Sequence, residues 1–428
     1  MSHLIRVAEQ RPKVAPHTVH DEHHVERANK SRKKNRYDDP MNESPRHVHN
    51  LTSGQLARHV PARVNLSPVS DYLRILLRHR PEARFIPRAL VYLFKLVAME
   101  PFRLAEQLID RICPTHRVLP QDPIFILGYY RSGTTHLQEL MLQDPRFGYM
   151  NFYQCFFPTA FTSTERLLKP IFERIVRAKG FLHPAHQIPF SFVLPGEEDV
   201  SLAASGFELA ANWGQVFPQS FQDIYTRSGL MDGISPTDFG RFKRVLYDLI
   251  WRVSIANKHR RLVLKSPPHT SRVSMLLELY PNAKFLFIRR DPYEVFASNK
   301  GLWKSFAVTW LQRVTATEVQ NNILWSHDRT HHAYERDKHL LQSGQLCEVT
   351  FEDFMTAPMK VAEHAYATLN LGGFDDAAPY FEAFLKRAHK GQPPPYALTS
   401  SEIEAIDSHL GAWLTRWNYP SRRARSAA

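Results

Sequence analysis

Eight consecutive residues, Gly128-Tyr129-Tyr130-Arg131-Ser132-Gly133-Thr134-Thr135, are the part of this chain best suited to chemistry. They follow an apolar run at 123–127 and precede a helical stretch at 136–142. Strand, glycine-bounded loop and helix succeed one another as in a phosphate cradle. Backbone N–H groups at the helix start carry partial positive charge, and Gly133 lets the backbone approach a ligand closely. The hydroxyls of Ser132, Thr134 and Thr135 add donors, and Arg131 adds a full charge. The spacing is that of G-x-x-x-x-G-K-[ST], but Thr134 stands where a nucleoside triphosphatase carries its lysine. The loop therefore suits an anion, without the lysine of ordinary triphosphate chemistry.

A second anion site is expected at Arg289-Arg290-Asp291-Pro292, after the apolar run 283–288. Open parallel sheets bind ligands at the carboxyl ends of their strands, and a guanidinium there can grip a phosphate in a fork. Ser298 lies about two turns into the helix that follows, within reach of the same ligand. Asp291, Pro292 and Glu294 have the spacing of a capping box that starts this helix. Two such sites suit a nucleotide with two separated phosphate groups. A triphosphate would call for Mg²⁺, a loop lysine and a carboxylate at a nearby strand end, whereas arginines occupy that strand end here. The combination points to a metal-free ligand, a 5′-phosphosulfate with a 3′-phosphate on its ribose.

Arg131-Ser132-Gly133-Thr134-Thr135, then Leu264-Lys265-Ser266-Pro267-Pro268-His269, then Ile288-Arg289-Arg290-Asp291-Pro292 with Ser298, resemble the sulfotransferases that use 3′-phosphoadenylyl sulfate (PAPS). The resemblance is to the bacterial branch related to tyrosylprotein and carbohydrate sulfotransferases. It covers roughly residues 120–420, including Val349-Thr350-Phe351-Glu352-Asp353-Phe354. It implies PAPS as co-substrate, with Arg131, Ser132, Gly133, Thr134 and Thr135 on the 5′-phosphosulfate. It implies Arg290 and Ser298 on the 3′-phosphate, with Lys390 as a last cofactor contact.

The expected reaction is an in-line displacement at sulfur by an acceptor hydroxyl. Arg131 would stabilise the developing charge, and Lys265 would assist unless it is merely an exposed lysine at a strand end. A base must take the hydroxyl proton. Gln154 stands where many relatives carry a carboxylate, and an amide cannot be that base. Glu197, Glu198 and Asp199 are the next candidates, since neighbouring carboxylates can raise one another's pKa. Glu198 is favoured, with His269 as rival.

The elements that must position these residues alternate strand and helix. Strands are expected at 123–127, 261–265, 283–288 and 346–350, and helices at 270–279, within 302–342 and at 400–417. The predicted fold is α/β: a P-loop-like central parallel sheet flanked by helices, with a largely helical insertion over the site at 150–260. Residues 70–114 are helical by pattern, with leucines recurring at 73, 76, 77, 90 and 93, and 85–102 reads as an amphipathic helix. Residues 1–65 read as a basic, His-rich mobile tail, leaving one sulfotransferase-like domain over 66–425. The tail's His17, His20, His23 and His24 fit no closed metal site. Its run at 30–34 has no interleaved aromatics and reads as solvated rather than as a nucleic-acid patch.

A chain of 428 residues with net charge +13 has room for a large core and suits anionic partners. Three widely spaced cysteines, Cys113, Cys155 and Cys347, suit unpaired thiols in a reducing compartment. No long apolar stretch is free of charge, so a cytoplasmic or membrane-peripheral protein is expected. The acceptor expected is a small molecule, lipid or carbohydrate, an expectation that the aromatics at 147–217 suit. Two alternatives stay open: a P-loop-like kinase, and a non-enzymatic anion- or nucleic-acid-binding protein that uses its basic tail.

Overall fold

The computed structural model describes residues 69–112, 121–181, 189–387 and 397–423; the tail expected over 1–65, Cys113 and Lys390 lie outside them. Five strands form one parallel sheet in the order β2-β3-β1-β4-β5. They are β1 (Ile124–Leu127), β2 (Phe147–Gly148), β3 (Arg261–Lys265), β4 (Lys284–Arg289) and β5 (Leu346–Thr350). Helices α1 (Val69–His79) and α2 (Ile86–Ile112) precede the sheet, and α3 (Thr134–Met141) joins β1 to β2. The insertion before β3 holds α4 (Phe152–Phe156), α5 (Phe161–Lys179), α6 (Glu198–Ala204), two single turns α7 (Trp213–Val216) and α8 (Phe221–Ile224), and α9 (Pro236–Ala256). Helix α10 (Val273–Leu279) leads to β4, and α11 (Pro292–Ser305) and α12 (Ala316–Asp337) lead to β5. The chain continues through α13 (Phe351–Thr356), α14 (Pro358–Thr368), α15 (Phe374–Arg387) and α16 (Ser400–Arg416).

The central strands are apolar throughout because both faces of the sheet are covered. Side chains alternate between faces. Phe125, Leu127, Phe285 and Phe287 join Leu246 and Leu276 of α9 and α10 on one side. Ile124, Ile126, Leu286 and Ile288 join Leu137, Leu140 and Ala362 of α3 and α14 on the other. Strand β1 lies between β3 and β4, with Ile126 opposite both Lys265 and Leu286. That register brings the carboxyl ends of three strands, and with them the three sequence motifs, to one edge of the sheet.

Local departures from the expected elements have local causes. The helix expected over 270–279 begins instead as a 3₁₀ turn, Pro267–Ser271. Two successive prolines fix φ there and withhold their N–H groups. The stretch within 302–342, expected as one or two helices, is divided between Ser305 and Ala316, where Thr315 starts α12 with a full capping box. Asp291 caps α11 by accepting from the Tyr293 N–H at 2.8 Å. The expected box with Glu294 is not made, because Glu294 pairs with Arg422 (2.9 Å) while Glu352 accepts the Asp291 N–H (3.2 Å). Many aromatics of the insertion are core: Phe157 stacks on Phe172 with centroids 5.3 Å apart, and Tyr153 and Trp213 are buried. Cys155 and Cys347 are buried free thiols. Among the described residues, no helix is long and apolar enough to cross a membrane.

Candidate active site

The loop after β1 is held from several sides. The Gly128 N–H donates to Thr270 Oγ1 (2.8 Å), Asn299 Nδ2 donates to the Tyr130 carbonyl (2.9 Å), and the Ser132 N–H donates to the Tyr129 carbonyl (3.1 Å). Arg131 and Gly133 take left-handed backbone conformations, with φ of 70° and 98°, which turn the chain into α3. The first N–H groups of α3, at Thr134 and Thr135, have no carbonyl available within the helix and lie at the positive end of the helix dipole, which suits an anion. A Cβ on Gly133 would enter the Phe351 ring. Gly133→Ala is therefore expected to lower stability by about 1–3 kcal/mol through overpacking, on top of strain from the left-handed φ. Thermal unfolding of the variant checks this.

The third motif meets the first. Arg131 Nε donates to Ser298 Oγ at 2.8 Å, and Arg290 Nη1 donates to the Arg131 carbonyl at 3.2 Å. The two expected anion sites thus adjoin through Arg131 across the ends of β1 and β4. Phe351 was assigned no role of its own from sequence. Its ring fills the space beside Gly133 and carries the Arg290 guanidinium 4.4 Å above its centroid. The signal available was only its place directly after β5. Glu294, 3.7 Å from Arg290, restrains the same guanidinium.

The second motif brings the acidic cluster to the end of β3. Lys265 is buried rather than an exposed strand-end lysine, and its Nζ is bonded to the Glu197 carboxylate. Glu198, only 1% exposed, lies behind it with Oε2 3.3 Å from His269 Nε2. That contact is out of line for a hydrogen bond, and neither Glu198 oxygen has a directed partner. His269 is fully buried, edge-on to Phe125. Asp199 is the anchor. It accepts from Arg272 Nη1 (2.7 Å) and Nη2 (2.9 Å), from Ser266 Oγ (2.9 Å) and from the Ala211 N–H (3.1 Å). Burial by itself would raise the Asp199 carboxyl, but the Arg272 guanidinium outweighs burial and holds it below its ordinary value.

The side-chain exposure of Glu197 is 23%, so it is the acid of this cluster that a ligand reaches first. Glu139, one turn into α3, was missed from sequence. Burial pushes its carboxyl up to about 7 against the opposing charge of Lys265. Gln154 is structural: it forms a capping box with Asn151 and donates to Glu165 Oε2 at 2.8 Å. Lys390 lies outside the described residues. No group of three or more His, Cys, Asp or Glu residues arranged for a metal occurs among the described residues.

A family model described as "Sulfotransferase family" matches residues 123–376. Omega-hydroxy-beta-dihydromenaquinone-9 sulfotransferase Stf3 of Mycobacterium bovis is 25% identical over 356 residues, covering 82% of this chain and 89% of that protein. The same-named protein of Mycobacterium tuberculosis matches equally. Among solved structures, sulfotransferase STF1 from Mycobacterium tuberculosis superposes with a TM-score of 0.61 at 18% identity, covering 86% of this chain and 99% of that one. Sulfotransferase STF9 from Mycobacterium avium gives 0.58 at 16% identity, covering 83% and 97%. These two likenesses establish the shared fold.

Proposed function

The chain belongs to the sulfotransferase family, and from that membership we propose that it moves a sulfuryl group from PAPS to the hydroxyl of a lipid-like acceptor by in-line displacement. The observation that carries the proposal is the Arg131–Ser298 contact at 2.8 Å with Arg290 on the Arg131 carbonyl. It makes one continuous anion surface out of motifs far apart in sequence. The residues present fit a bisphosphorylated nucleotide: a helix N-terminus with three hydroxyls at one end, and Ser298 with the ring-stacked Arg290, each bonded to Arg131, at the other.

In this reading the N–H groups and hydroxyls of 132–135 hold the 5′-phosphosulfate, and Arg290 and Ser298 hold the 3′-phosphate. Lys390, in the C-terminal basic segment, supplies a further cofactor contact. The bound donor supplies the sulfuryl group and a bisphosphate leaving group. Glu197 takes the acceptor's hydroxyl proton as its oxygen bonds to sulfur, and the electron pair of the broken S–O bond leaves on the phosphate oxygen. Lys265 and Arg131 offset the charge that grows there. Glu198 and His269 back this pair from the buried side. An acceptor with a long apolar body is supported by the substrate in the name of the Stf3 relatives, an omega-hydroxylated menaquinone derivative. The partly exposed Phe152 and Phe156, stacked 6.0 Å apart, also suit such a body.

Calorimetry with adenosine 3′,5′-bisphosphate tests the donor site. Binding is expected without Mg²⁺, and Arg290→Ala is expected to weaken it about tenfold to a hundredfold through loss of a charge-assisted phosphate contact. Arg131→Ala is expected to weaken it as well. If ATP with Mg²⁺ binds and the bisphosphate does not, the proposal fails and the kinase alternative takes its place.

A further inference from the structure

Helix α2 is built inside-out. Its outward face, formed by Leu90, Val91, Phe94, Val97, Phe102 and Leu108, stands exposed, Phe94 to 74% and Val91 to 70%. Except for Arg88, its described charged side chains are buried or half-buried. Glu106 is buried, pairs with Arg252 at 2.9 Å and accepts from Ser163 Oγ at 2.7 Å. Arg103 is buried on Glu100, and Lys95 lies over the Tyr92 ring. A helix at an aqueous surface has the opposite polarity. At 27 residues the helix is about 40 Å long, so the apolar strip exceeds the scattered exposed side chains of ordinary surfaces.

Charge selects what covers this strip. Helix α5 starts against α2, through the Ser163–Glu106 contact, and exposes Leu167, Ile171 and Ile175 in its turn. The exposed charged side chains described on α2 and α5 are all basic: Arg88, Arg166, Arg174, Arg177 and Lys179. A second copy would bring the same basic flank from a chain of net charge +13, and residues 1–65 are themselves polar and basic. An anionic bilayer offers an apolar interior and negative headgroups together.

We propose that the outward face of α2, flanked by the cations of α5, seats this protein on the surface of an anionic lipid bilayer. The helix lies in the interface plane rather than crossing it, with its apolar side chains reaching roughly 5–10 Å into the headgroup–acyl boundary. The seat adjoins the chemistry. Tyr92 Oη donates to the Ala203 carbonyl at 2.6 Å, at the far end of α6 from Glu198. That helix has seven residues, about 10 Å. A small cleft of about 20 Å³, lined by Lys95, Arg103, Leu96, Met99, Phe157 and Ala204 among others, lies between α2, α4 and this end of α6. The docking does not rest on the proposed reaction.

Flotation of the full-length chain with vesicles tests the docking without any assay of activity. Binding is expected to phosphatidylcholine vesicles containing phosphatidylglycerol, and to be weaker with phosphatidylcholine alone and at high salt. Val91→Glu/Phe94→Glu is expected to cut partitioning about tenfold or more. Its circular dichroism and Tm should not change, because both positions are exposed. Arg174→Glu/Arg177→Glu should weaken only the phosphatidylglycerol arm. Unchanged flotation of Val91→Glu/Phe94→Glu would assign the binding to the basic tail and overturn the proposal. So would a concentration-dependent dimer that fails to float and that the same variant dissolves, since the face would then belong to a second copy.

Discussion

Glu197→Gln is expected to lower kcat by roughly 10²–10⁴-fold, the usual contribution of a positioned general base, with adenosine 3′,5′-bisphosphate affinity nearly unchanged. The substitution keeps the shape and leaves a carbonyl oxygen to accept from Lys265, but removes the site that takes a proton. Three observations single out Glu197. It is the most exposed of the three neighbouring acids, it is bonded to Lys265 at the end of β3, and Asp199 is fully committed to Arg272. The effect should appear in single-turnover rates, which report chemistry apart from product release. Glu198→Gln is the decisive comparison. At 1% exposure against His269 it is placed to support rather than to meet an acceptor, so its kcat loss should be far smaller. If the large loss falls on Glu198→Gln and spares Glu197→Gln, the base is Glu198, the residue favoured from sequence.

Lys265 also sets how the site responds to its neighbours. Its ammonium is bonded directly to Glu197 and also acts on Glu139. Ordering the Lys265 ammonium on the sulfuryl oxygens would free Glu197 for the acceptor hydroxyl. Donor and acceptor binding would then be coupled through a single side chain.

The parallel sheet was legible because its strands are apolar runs between punctuating residues. The bounds of β3 and β5 follow directly from 261–265 and 346–350. Strand β2 was not legible, since two residues carry no periodicity. The helix over α2 could be read from leucine spacing, but the side facing inward could not. Glu106 meets Arg252 from another helix, and a hydrophobic stripe by itself does not say whether protein or something else covers it. The proposed donor site could be read as separate motifs because each has local chemistry: hydroxyls at a helix start, arginines at a strand end. Their union through Arg131 and Ser298, and the place of Phe351 under Arg290, depend on the order of the strands in the sheet, which no single stretch of sequence encodes. The acidic cluster was ambiguous for the same reason. Three adjacent acids are alike in sequence, and only the fold turns one to Lys265, one to His269 and one to Arg272.

Asp199→Ala is expected to cost about 3–5 kcal/mol of stability, the loss typical when one partner of a buried ion pair is removed. The magnitude comes from what remains. Arg272 has no exposure, and without the carboxylate its guanidinium keeps only uncharged partners, chiefly the Ser228 carbonyl. The Ser266 hydroxyl and the Ala211 N–H lose an acceptor in the same step. Urea unfolding measures the loss. An Asp199→Ala/Arg272→Met double variant separates a stranded charge from a lost attraction: it should recover most of the deficit, because a buried pair exchanged for apolar packing is often nearly neutral. The pH dependence has a definite sign. The folded carboxyl titrates below its unfolded value, so the unfolded state binds the proton more readily. The contribution of Asp199 is then fully present above an unfolded pKa of about 3.9 and is lost as pH falls through the lower folded value. The native chain should therefore lose stability in acid more steeply than the double variant. Equal acid sensitivity in the two proteins, or an Asp199→Ala variant as stable as the native chain, would show that the Arg272 contact contributes nothing to holding α6 against the end of β3.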